Sequence, residues 1–402
     1  MLKNKNIIIG VTGGIAIYKT LDLISKLKKE SSNVEVIMTK AATEFVAPLT
    51  FQTMSQSKVH YDMFGLVNEM EVEHISLAKK ADVILVAPAT ANTIGKVANG
   101  IADNLLTTVI MATSKKVIFA PSMNTQMYKN PILQNNIRIL KELGYEFINP
   151  GEGRLACGDE GTGKMAEPFQ IIEYLKDFFT KKDLIGKKII VTAGPTQEAI
   201  DPVRYITNRS SGKMGYEIAR EASRRGADVI LISGPTDLDT PENVKFERVT
   251  TTQQMLEKID LYFNNADVLI KAAAPSDYKP THFSDQKLKK EIGKDILEID
   301  FEKNPDVAAY FGAKKRDNQI IVGFAAETEE LIENATKKVK QKNLDFIIAN
   351  DVTVEGAGFE VDTNIASIIY KDGTIENLPI MKKSELAEII IDRIKAILEK
   401  AS

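Results

Sequence analysis

Short, nearly continuous apolar runs recur along this chain, each followed by a longer stretch whose apolar positions fall at helical spacing. In the first half the runs occupy residues 6–11, 34–39, 83–87, 116–120 and 145–149, and amphipathic helices are predicted over 15–29 and 130–143. A strand covered on both faces of a parallel sheet reads as an unbroken Val/Ile run, and strands alternating with helices imply crossover connections. The expected fold is therefore α/β and doubly wound, three layers with the sheet in the middle. The pattern restarts with a strand at 187–192, a helix over 212–225 and strands over 228–232, 267–271, 319–324 and 345–349. Runs at 365–370 and 374–378 flank Asp372-Gly373, a hairpin signal, and 383–398 closes as an amphipathic helix. The restart places a boundary in the charged stretch TKKDLIGKK, giving expected domains of 1–182 and 186–402.

Composition narrows the function classes. Of 402 residues, 44% are hydrophobic and 27% charged, with a net charge of −3, which gives no electrostatic footprint for nucleic acid. No apolar run approaches bilayer length. The opening MLKNKNIIIGVTGG is basic and then apolar, but the run is short for a signal peptide and leads straight into a strand–turn–helix pattern. A single cysteine, Cys157, precludes an internal disulfide, so the cytoplasm is the expected compartment. Only His60, His74 and His282 are available for imidazole chemistry.

Several loops carry candidate chemistry. The turn Gly10-Val11-Thr12-Gly13-Gly14 follows a strand and opens a helix, a place suited to a phosphate, though the same residues also make a bare tight turn. The stretch Ala89, Thr90, Asn92, Thr93 follows another strand, where open sheets bind ligands; small residues there would also serve helix–sheet contact. Asn124 reads either as a carboxylate holder or as a helix N-cap. Cys157 lies in GEGRLACGDEGTG, a glycine-rich run expected to form a mobile flap, where a thiol is better placed for chemistry than in a core. GDEGTGKM nearly matches a P-loop, but it ends in Met165 where a hydroxyl is needed and no strand leads into it.

Taken in order, GVTGGIAIYK, His74, APATANTIGKVANGIADNLLTT, PSMNTQM and RLACGDEGTGKM resemble the phosphopantothenoylcysteine decarboxylases, flavodoxin-like FMN proteins. The resemblance implies an FMN site at Gly13, Gly14, Ile15, Thr39, Ala89, Thr90, Asn92 and Thr93. It implies catalytic roles for His74 as base or orienting group, Asn124 on the substrate carboxylate and Cys157 in the final protonation. A plain amido carboxylate decarboxylates poorly because its carbanion has nowhere to go. The flavin chemistry implied by the resemblance removes that barrier by oxidising the cysteinyl CH2–SH first. Gly14 departs from a family pattern that often has serine.

In the second half, TAGPTQEAIDPVRYITNRSSGKMG, KAAAPSDYKP, KLKK, KNPDV, GFAAET and KNLDFIIAND resemble the Rossmann-like phosphopantothenate–cysteine ligase domain. Amides, hydroxyls and cations gathered at strand ends suit an anionic ligand on the residues' own account; a lysine cluster is otherwise a solvated face. By resemblance, Lys287 forms an acyl-cytidylate from CTP and Asn208 holds it, while Arg204 serves the adjoining substrate. Ala273, Asp277, Lys289, Asn304, Pro305, Asp306, Val307, Ala308, Phe324, Lys338 and Lys342 are implied on the nucleotide side. Mg2+ is expected mainly through the CTP phosphates, with its protein ligands left open. Pro275-Ser276 stands where the family more often has Val-Ala. Together the halves resemble the bifunctional enzymes of coenzyme A biosynthesis. The implied partners are phosphopantothenate, cysteine and CTP, with no nucleic acid or membrane. A homo-oligomer is expected, trimeric decarboxylase units joined by dimeric ligase units, up to a dodecamer. The competing readings are another flavin-dependent enzyme, such as a decarboxylase of peptide C-terminal cysteines or a flavin prenyltransferase, and a non-catalytic regulator on a flavin-like fold.

Overall fold

The computed structural model describes residues 2–63, 72–154, 158, 160–289, 297–327, 331–351 and 361–401. The chain forms two compact units, Met1–Thr180 and Lys181–Ser402.

The first unit is built on six parallel strands: β1 (Asn6–Val11), β2 (Asn33–Met38), β3 (Val59–His60), β4 (Val83–Ala89), β5 (Val117–Pro121) and β6 (Glu146–Phe147). Their spatial order is β3-β2-β1-β4-β5-β6. The helices are α1 (Ile17–Lys29), α2 (Lys40–Thr43), α3 (Pro48–Ser55), α4 (Glu73–Lys80), α5 (Ala91–Ala98), α6 (Leu105–Ala112), α7 (Thr125–Lys129), α8 (Pro131–Glu142) and α9 (Pro168–Phe179). Alternate residues of each central strand enter opposite cores. Ile7, Ile9, Val83 and Leu85 join the cluster built on α1 and α9, whereas Ile8, Ile84 and Val86 join that of α4, α6 and α8. All seven residues of β4 are buried, which explains its unbroken apolar run. Each fully buried Ile or Val contributes roughly 1.5–3 kcal/mol relative to exposure.

The glycine-rich run expected to form a mobile flap contains a hairpin. Its arms, β7 (Gly151–Arg154) and β8 (Glu160–Lys164), pair antiparallel; Cys157 lies outside the described residues. The hairpin is stitched to the loop after β5 by the Met123 amide, which donates to the Gly163 carbonyl at 3.0 Å. Gly163 has φ +149°, and a Cβ there would lie 2.4 Å from the Met123 carbonyl oxygen. Only glycine allows that approach.

The second unit contains β9 (Lys188–Ala193), β10 (Gln197–Ala199), β11 (Tyr205–Thr207), β12 (Asp228–Ser233), β13 (Lys245–Arg248), β14 (Val268–Lys271), β15 (Tyr278–Pro280), β16 (Phe301–Lys303), β17 (Ile320–Glu327), β18 (Phe346–Asp351), β19 (Thr363–Asn364), β20 (Ala366–Tyr370), β21 (Ile375–Asn377) and β22 (Met381–Lys382). Its helices are α10 (Lys213–Arg224), α11 (Thr252–Phe263), α12 (Val307–Lys314), α13 (Leu331–Gln341) and α14 (Lys383–Ala401). Eight strands form the main sheet, in the order β13-β12-β9-β14-β17-β18-β20-β21. It is parallel as far as β18 and antiparallel through β20 and β21. The β20–β21 hairpin turns at Asp372-Gly373, with Gly373 at φ +90°. Tyr216, Ile218 and Ile390 from α10 and α14 cover one face, and Met255, Phe311 and Val339 from α11, α12 and α13 cover the other.

Both sheets start in the middle. In the first, the chain leaves β1 for β2 and β3 on one side and places β4, β5 and β6 on the other. In the second, β9 is flanked by β12 and β13 on one side and by β14, β17 and β18 on the other. The strand order therefore reverses between β1 and β4, and again between β9 and β14. At such a point the loops at the strands' carboxyl ends diverge and leave a crevice for a ligand.

Candidate functional sites

At the first switch point the turn after β1 faces the turn after β4. The Thr12 hydroxyl donates to the Pro88 carbonyl at 2.7 Å and accepts from the Thr90 amide at 3.2 Å, tying the two turns together. A Cβ on Gly13 would lie 2.6 Å from the Ala41 Cβ and 2.9 Å from the Ala41 carbonyl, so this position must be glycine for α2 to pack. Gly14 differs. A Cβ there would meet only Thr90 Cγ2 at 3.6 Å and Pro88 Cγ at 3.9 Å, so nothing in the packing excludes the serine common in the family.

The cleft above these turns has a volume of ≈ 640 Å³ and is lined by Gly13, Gly14, Ile15, Thr90, Asn124, Gly163 and Lys164 among others, within the ~300–1,000 Å³ usual for small-molecule sites. Among the described residues its lining includes Lys19 and Lys164 and no acidic side chain. Lys19 is already held by the Met165 carbonyl at 3.1 Å and by Glu167 at 2.9 Å. Asn124 both lines the cleft and caps α7, its Oδ1 accepting from the Gln126 amide at 2.8 Å. The cap and the site readings of this residue thus coexist. Thr39 caps α2 and donates to the Val11 carbonyl at 3.4 Å. Thr90 caps α5. Ala89 and Thr93 are buried at the base of the turn, and Asn92 is exposed on α5 outside the lining.

His74 does not line this cleft. It is half-buried in the first turn of α4, next to Glu73. Glu73 Oε1 accepts from His60 Nδ1 at 2.7 Å and from Lys58 Nζ at 2.8 Å. The sequence had no signal for this pairing, because β3 is only two residues long.

At the second switch point three loops converge. The Ala273 amide donates to the Thr192 hydroxyl at 3.2 Å, and the Ala274 amide to the Gly194 carbonyl at 2.9 Å. Asn208 is exposed and bridges the same two loops, its Nδ2 donating to the Pro275 carbonyl at 2.9 Å. Asn304 Nδ2 donates to the Ser276 carbonyl at 2.9 Å, and the Asn304 amide to the Asp277 carbonyl at 2.9 Å. Pro305 leads into α12, where Asp306 is the N-cap and Val307 and Ala308 are buried in the first turn. Asp306 also pairs with Lys342 at 2.8 Å. Phe324 is part-buried against the α10–α14 core. Lys287 and Lys289 are exposed, and Lys287 has no hydrogen bond or ion pair among the described residues. Arg204 is bound to Asp201 and to the Leu288 carbonyl.

The comparisons with known proteins divide the chain at nearly the same place. Residues 1–180 match the flavoprotein family model, and 184–398 match the C-terminal domain of the DNA/pantothenate metabolism flavoproteins. The coenzyme A biosynthesis bifunctional protein CoaBC of Bacillus subtilis is 47% identical over 401 residues, 99% of this chain and 98% of that protein. Its counterpart in Borreliella burgdorferi is 45% identical over 394 residues, 97% and 99% of the two chains. This chain belongs to the CoaBC family. Among solved structures, a CoaBC C-terminal domain is 41% identical, covers 55% of this chain and all of its own, and has a TM-score of 0.47.

Against the CoaBC background, two residues to which the sequence gave no role stand out. Lys271, at the end of β14, has no hydrogen bond or ion pair among the described residues. Burial, with Lys342 and Lys338 adding like charge, pushes its ammonium down to about 8, against the opposing pull of Asp306 and Asp277. Four residues expected on the nucleotide side thus surround it. Its signal in the sequence was a lysine ending an otherwise apolar strand. The second is Asp201, buried beside Arg204. No helix among the described residues is long and apolar enough to cross a membrane. Among the same residues no group of three His, Cys, Asp or Glu side chains could hold a metal ion.

Proposed function

We propose that this CoaBC-family chain performs two consecutive steps of coenzyme A biosynthesis. The second unit joins 4′-phosphopantothenate to cysteine with CTP, and the first decarboxylates the 4′-phosphopantothenoylcysteine to 4′-phosphopantetheine. The observation that carries this reading is the pair of unlike sites at two switch points in one chain. One is a cleft whose described lining has small residues and lysines but no acid, and the other gathers lysines around strand ends.

In the ligase step, the phosphopantothenate carboxylate attacks the α-phosphate of CTP and expels pyrophosphate. The cysteine amine then displaces CMP from the acyl-cytidylate. Lys287 neutralises charge that develops on the α-phosphate, Asn208 holds the acyl-cytidylate, and Lys271, Lys338 and Lys342 receive the triphosphate. This chemistry depends mainly on positioning and charge. Mg2+ is assigned mainly to the phosphates of the incoming CTP, as one or two carboxylates and substrate phosphates usually hold this ion.

The first cleft fits FMN. Its glycine turn, the Thr90 hydroxyl and, among the described residues, a lining with lysines and no acid suit a phosphate and a ring system together. When bound, FMN supplies the two-electron oxidation at the cysteinyl thiol carbon and its reversal once CO2 has left. Asn124 orients the departing carboxylate from the cleft wall. His74 and Cys157 keep the roles implied by resemblance, as base or orienting group and as proton donor to the last intermediate. We further place the enzyme in the cytoplasm, as an oligomer of trimeric decarboxylase and dimeric ligase units. Mass spectrometry of protein supplied with FMN, phosphopantothenate, cysteine, Mg2+ and CTP should find phosphopantetheine and CMP. If neither phosphopantothenoylcysteine nor phosphopantetheine forms, the proposal is wrong; comparable rates with ATP would overturn the choice of CTP.

Two more outcomes follow from the geometry. Gly14→Ser should be accommodated and add a hydroxyl donor to the FMN phosphate, tightening binding roughly tenfold, as expected for one hydrogen bond to a charged group. Quenching of flavin fluorescence reads this, and weaker binding would move the phosphate away from the turn. Lys271 is charged below about 8 and loses its proton above it. The value of kcat/KM for CTP, which reports groups on the free enzyme, should therefore be level below that pH and fall above it. Lys271→Met should lower it throughout and remove the fall. A wild-type profile that stays level to pH 9.5 would exclude Lys271 from triphosphate binding.

A further inference from the structure

Arg204 was expected to serve a substrate, but its guanidinium is engaged in another way. The turn at 200–204 is closed by the Ile200 amide donating to the Arg204 carbonyl at 2.9 Å. Inside it lies the Asp201 carboxylate, whose side chain is fully buried. Asp201 Oδ1 accepts from the amides of Val203 and Arg204, both at 2.8 Å. Asp201 Oδ2 accepts from Arg204 Nε at 2.9 Å, from its terminal nitrogen at 2.6 Å and from the Leu288 amide at 3.1 Å. The same Arg204 nitrogen donates to the Leu288 carbonyl at 2.8 Å. Both backbone polar groups of Leu288 are thus held by one ion pair 84–87 positions away in sequence. A second tether lies four residues earlier, where the Ser284 amide donates to the Ile200 carbonyl at 3.1 Å.

Leu288 stands between Lys287 and Lys289. The two lysines themselves are exposed, so their own side-chain contacts do not fix where they point. The chain between them is fixed instead. Burial works against a charged Asp201, yet the Arg204 guanidinium and the three amides outweigh it and hold the carboxyl far below its usual range. The latch therefore keeps its charge throughout the neutral range. We propose that Asp201 and Arg204 are positioning residues that aim Lys287 at the reacting phosphate by gripping the backbone of Leu288. On this assignment Arg204 acts through the lysine loop and does not bind substrate. The proposal deepens the ligase reading of this site and rests on it, but the grip itself can be measured separately.

The test uses the full-length enzyme with Arg204→Met, which removes the guanidinium and keeps the aliphatic stem. Three quantities are read: pyrophosphate release from CTP with phosphopantothenate, the KM for phosphopantothenate, and amide hydrogen exchange at Leu288. The latch predicts a 10- to 100-fold fall in kcat, a change in KM below about threefold, and at least tenfold faster exchange at Leu288. Arg204→Lys, which keeps the charge and one donor, should recover part of the rate. Arg204→Met added to Lys287→Gln should cost nothing further, because the latch acts through that lysine. A tenfold rise in KM with kcat and Leu288 exchange unchanged would overturn the proposal and make Arg204 a substrate ligand. If wild-type protein releases no pyrophosphate at all, the ligase reading fails, and unchanged Leu288 exchange in Arg204→Met would then sink the latch as well.

Discussion

Lys287→Gln is expected to reduce pyrophosphate release from CTP by at least 100-fold while leaving decarboxylation of supplied phosphopantothenoylcysteine at the wild-type rate. Glutamine keeps nearly the length of the side chain and removes the charge. The Lys287 ammonium has no partner among the described residues, so its loss breaks no internal contact and should not weaken the fold. On the proposed ligase reading, what is lost is a cation that would face the phosphate on which negative charge builds up. Removing one such preorganised group typically lowers kcat by ~10²–10³. The decarboxylase unit serves as an internal control, because its hydrophobic clusters and its cleft involve none of residues 181–402. Two separate assays on one preparation settle the matter. A ligase rate within threefold of wild type would remove Lys287 from the chemistry. A parallel loss of both activities would point to misfolding.

The second large effect concerns a glycine remote from any reacting atom. A Cβ at Gly312, in α12, would lie 1.9 Å from the Lys342 carbonyl oxygen and 2.8 Å from its carbonyl carbon. Both are backbone atoms and cannot rotate away. Gly312→Ala must therefore push α12 off the turn that follows α13, at a cost of about 1–3 kcal/mol for overpacking. That turn is also tied to α12 by Asn343 Nδ2, which donates to the Gly312 carbonyl at 3.0 Å. Displacing α12 separates Asp306, its N-cap, from Lys342, now 2.8 Å away. The KM for CTP should rise about tenfold together with a fall in the melting temperature. Gly95→Ala, in α5, is the control. Its Cβ would meet only Asn136 Nδ2 at 3.7 Å, and alanine is the better helix former by up to ~1 kcal/mol. Gly95→Ala should leave stability unchanged or raise it. If Gly312→Ala leaves both stability and the KM for CTP intact, the close packing is not a constraint.

Much of the fold was legible because the strands that make it are covered on both faces. The predicted run at 6–11 coincides with β1, and the helix predicted over 383–398 ends only three residues short of α14. The strands that went unread are short or lie at edges. Lys245–Arg248 is half-exposed along its length, and Val59–His60 is too short to show any period. The site was legible in parts. Thr90, Asn124, Asn208 and Asp306 all occur at strand ends and caps, where sequence signals are strong. Their neighbours were not legible, because contacts between distant loops follow from the strand order. Lys271 meets Lys338 and Lys342 only because β14 and β17 are adjacent, and Asp201 reaches Leu288 across 87 positions. His74 shows the reverse case, a residue singled out by its surroundings in sequence that one chain does not bring to the cleft.

The turns after β1, β4 and β5 in the first unit and after β9 and β14 in the second leave the carboxyl ends of buried strands, and this has a consequence for how the protein can change. Substitutions in the strands alter packed volume, whereas substitutions in the loops mostly alter what faces the ligand. Tolerance in a saturation scan should therefore rise and fall once per strand–helix repeat, with steep losses of abundance at strand positions and losses of turnover without losses of abundance just beyond them. Gly13, Gly163, Gly234 and Gly312 should interrupt that rhythm, because each faces backbone or Cβ atoms less than 3 Å from where its own Cβ would be. Elsewhere at the sheet edges, nucleotide choice and acyl specificity can drift without putting the fold at risk.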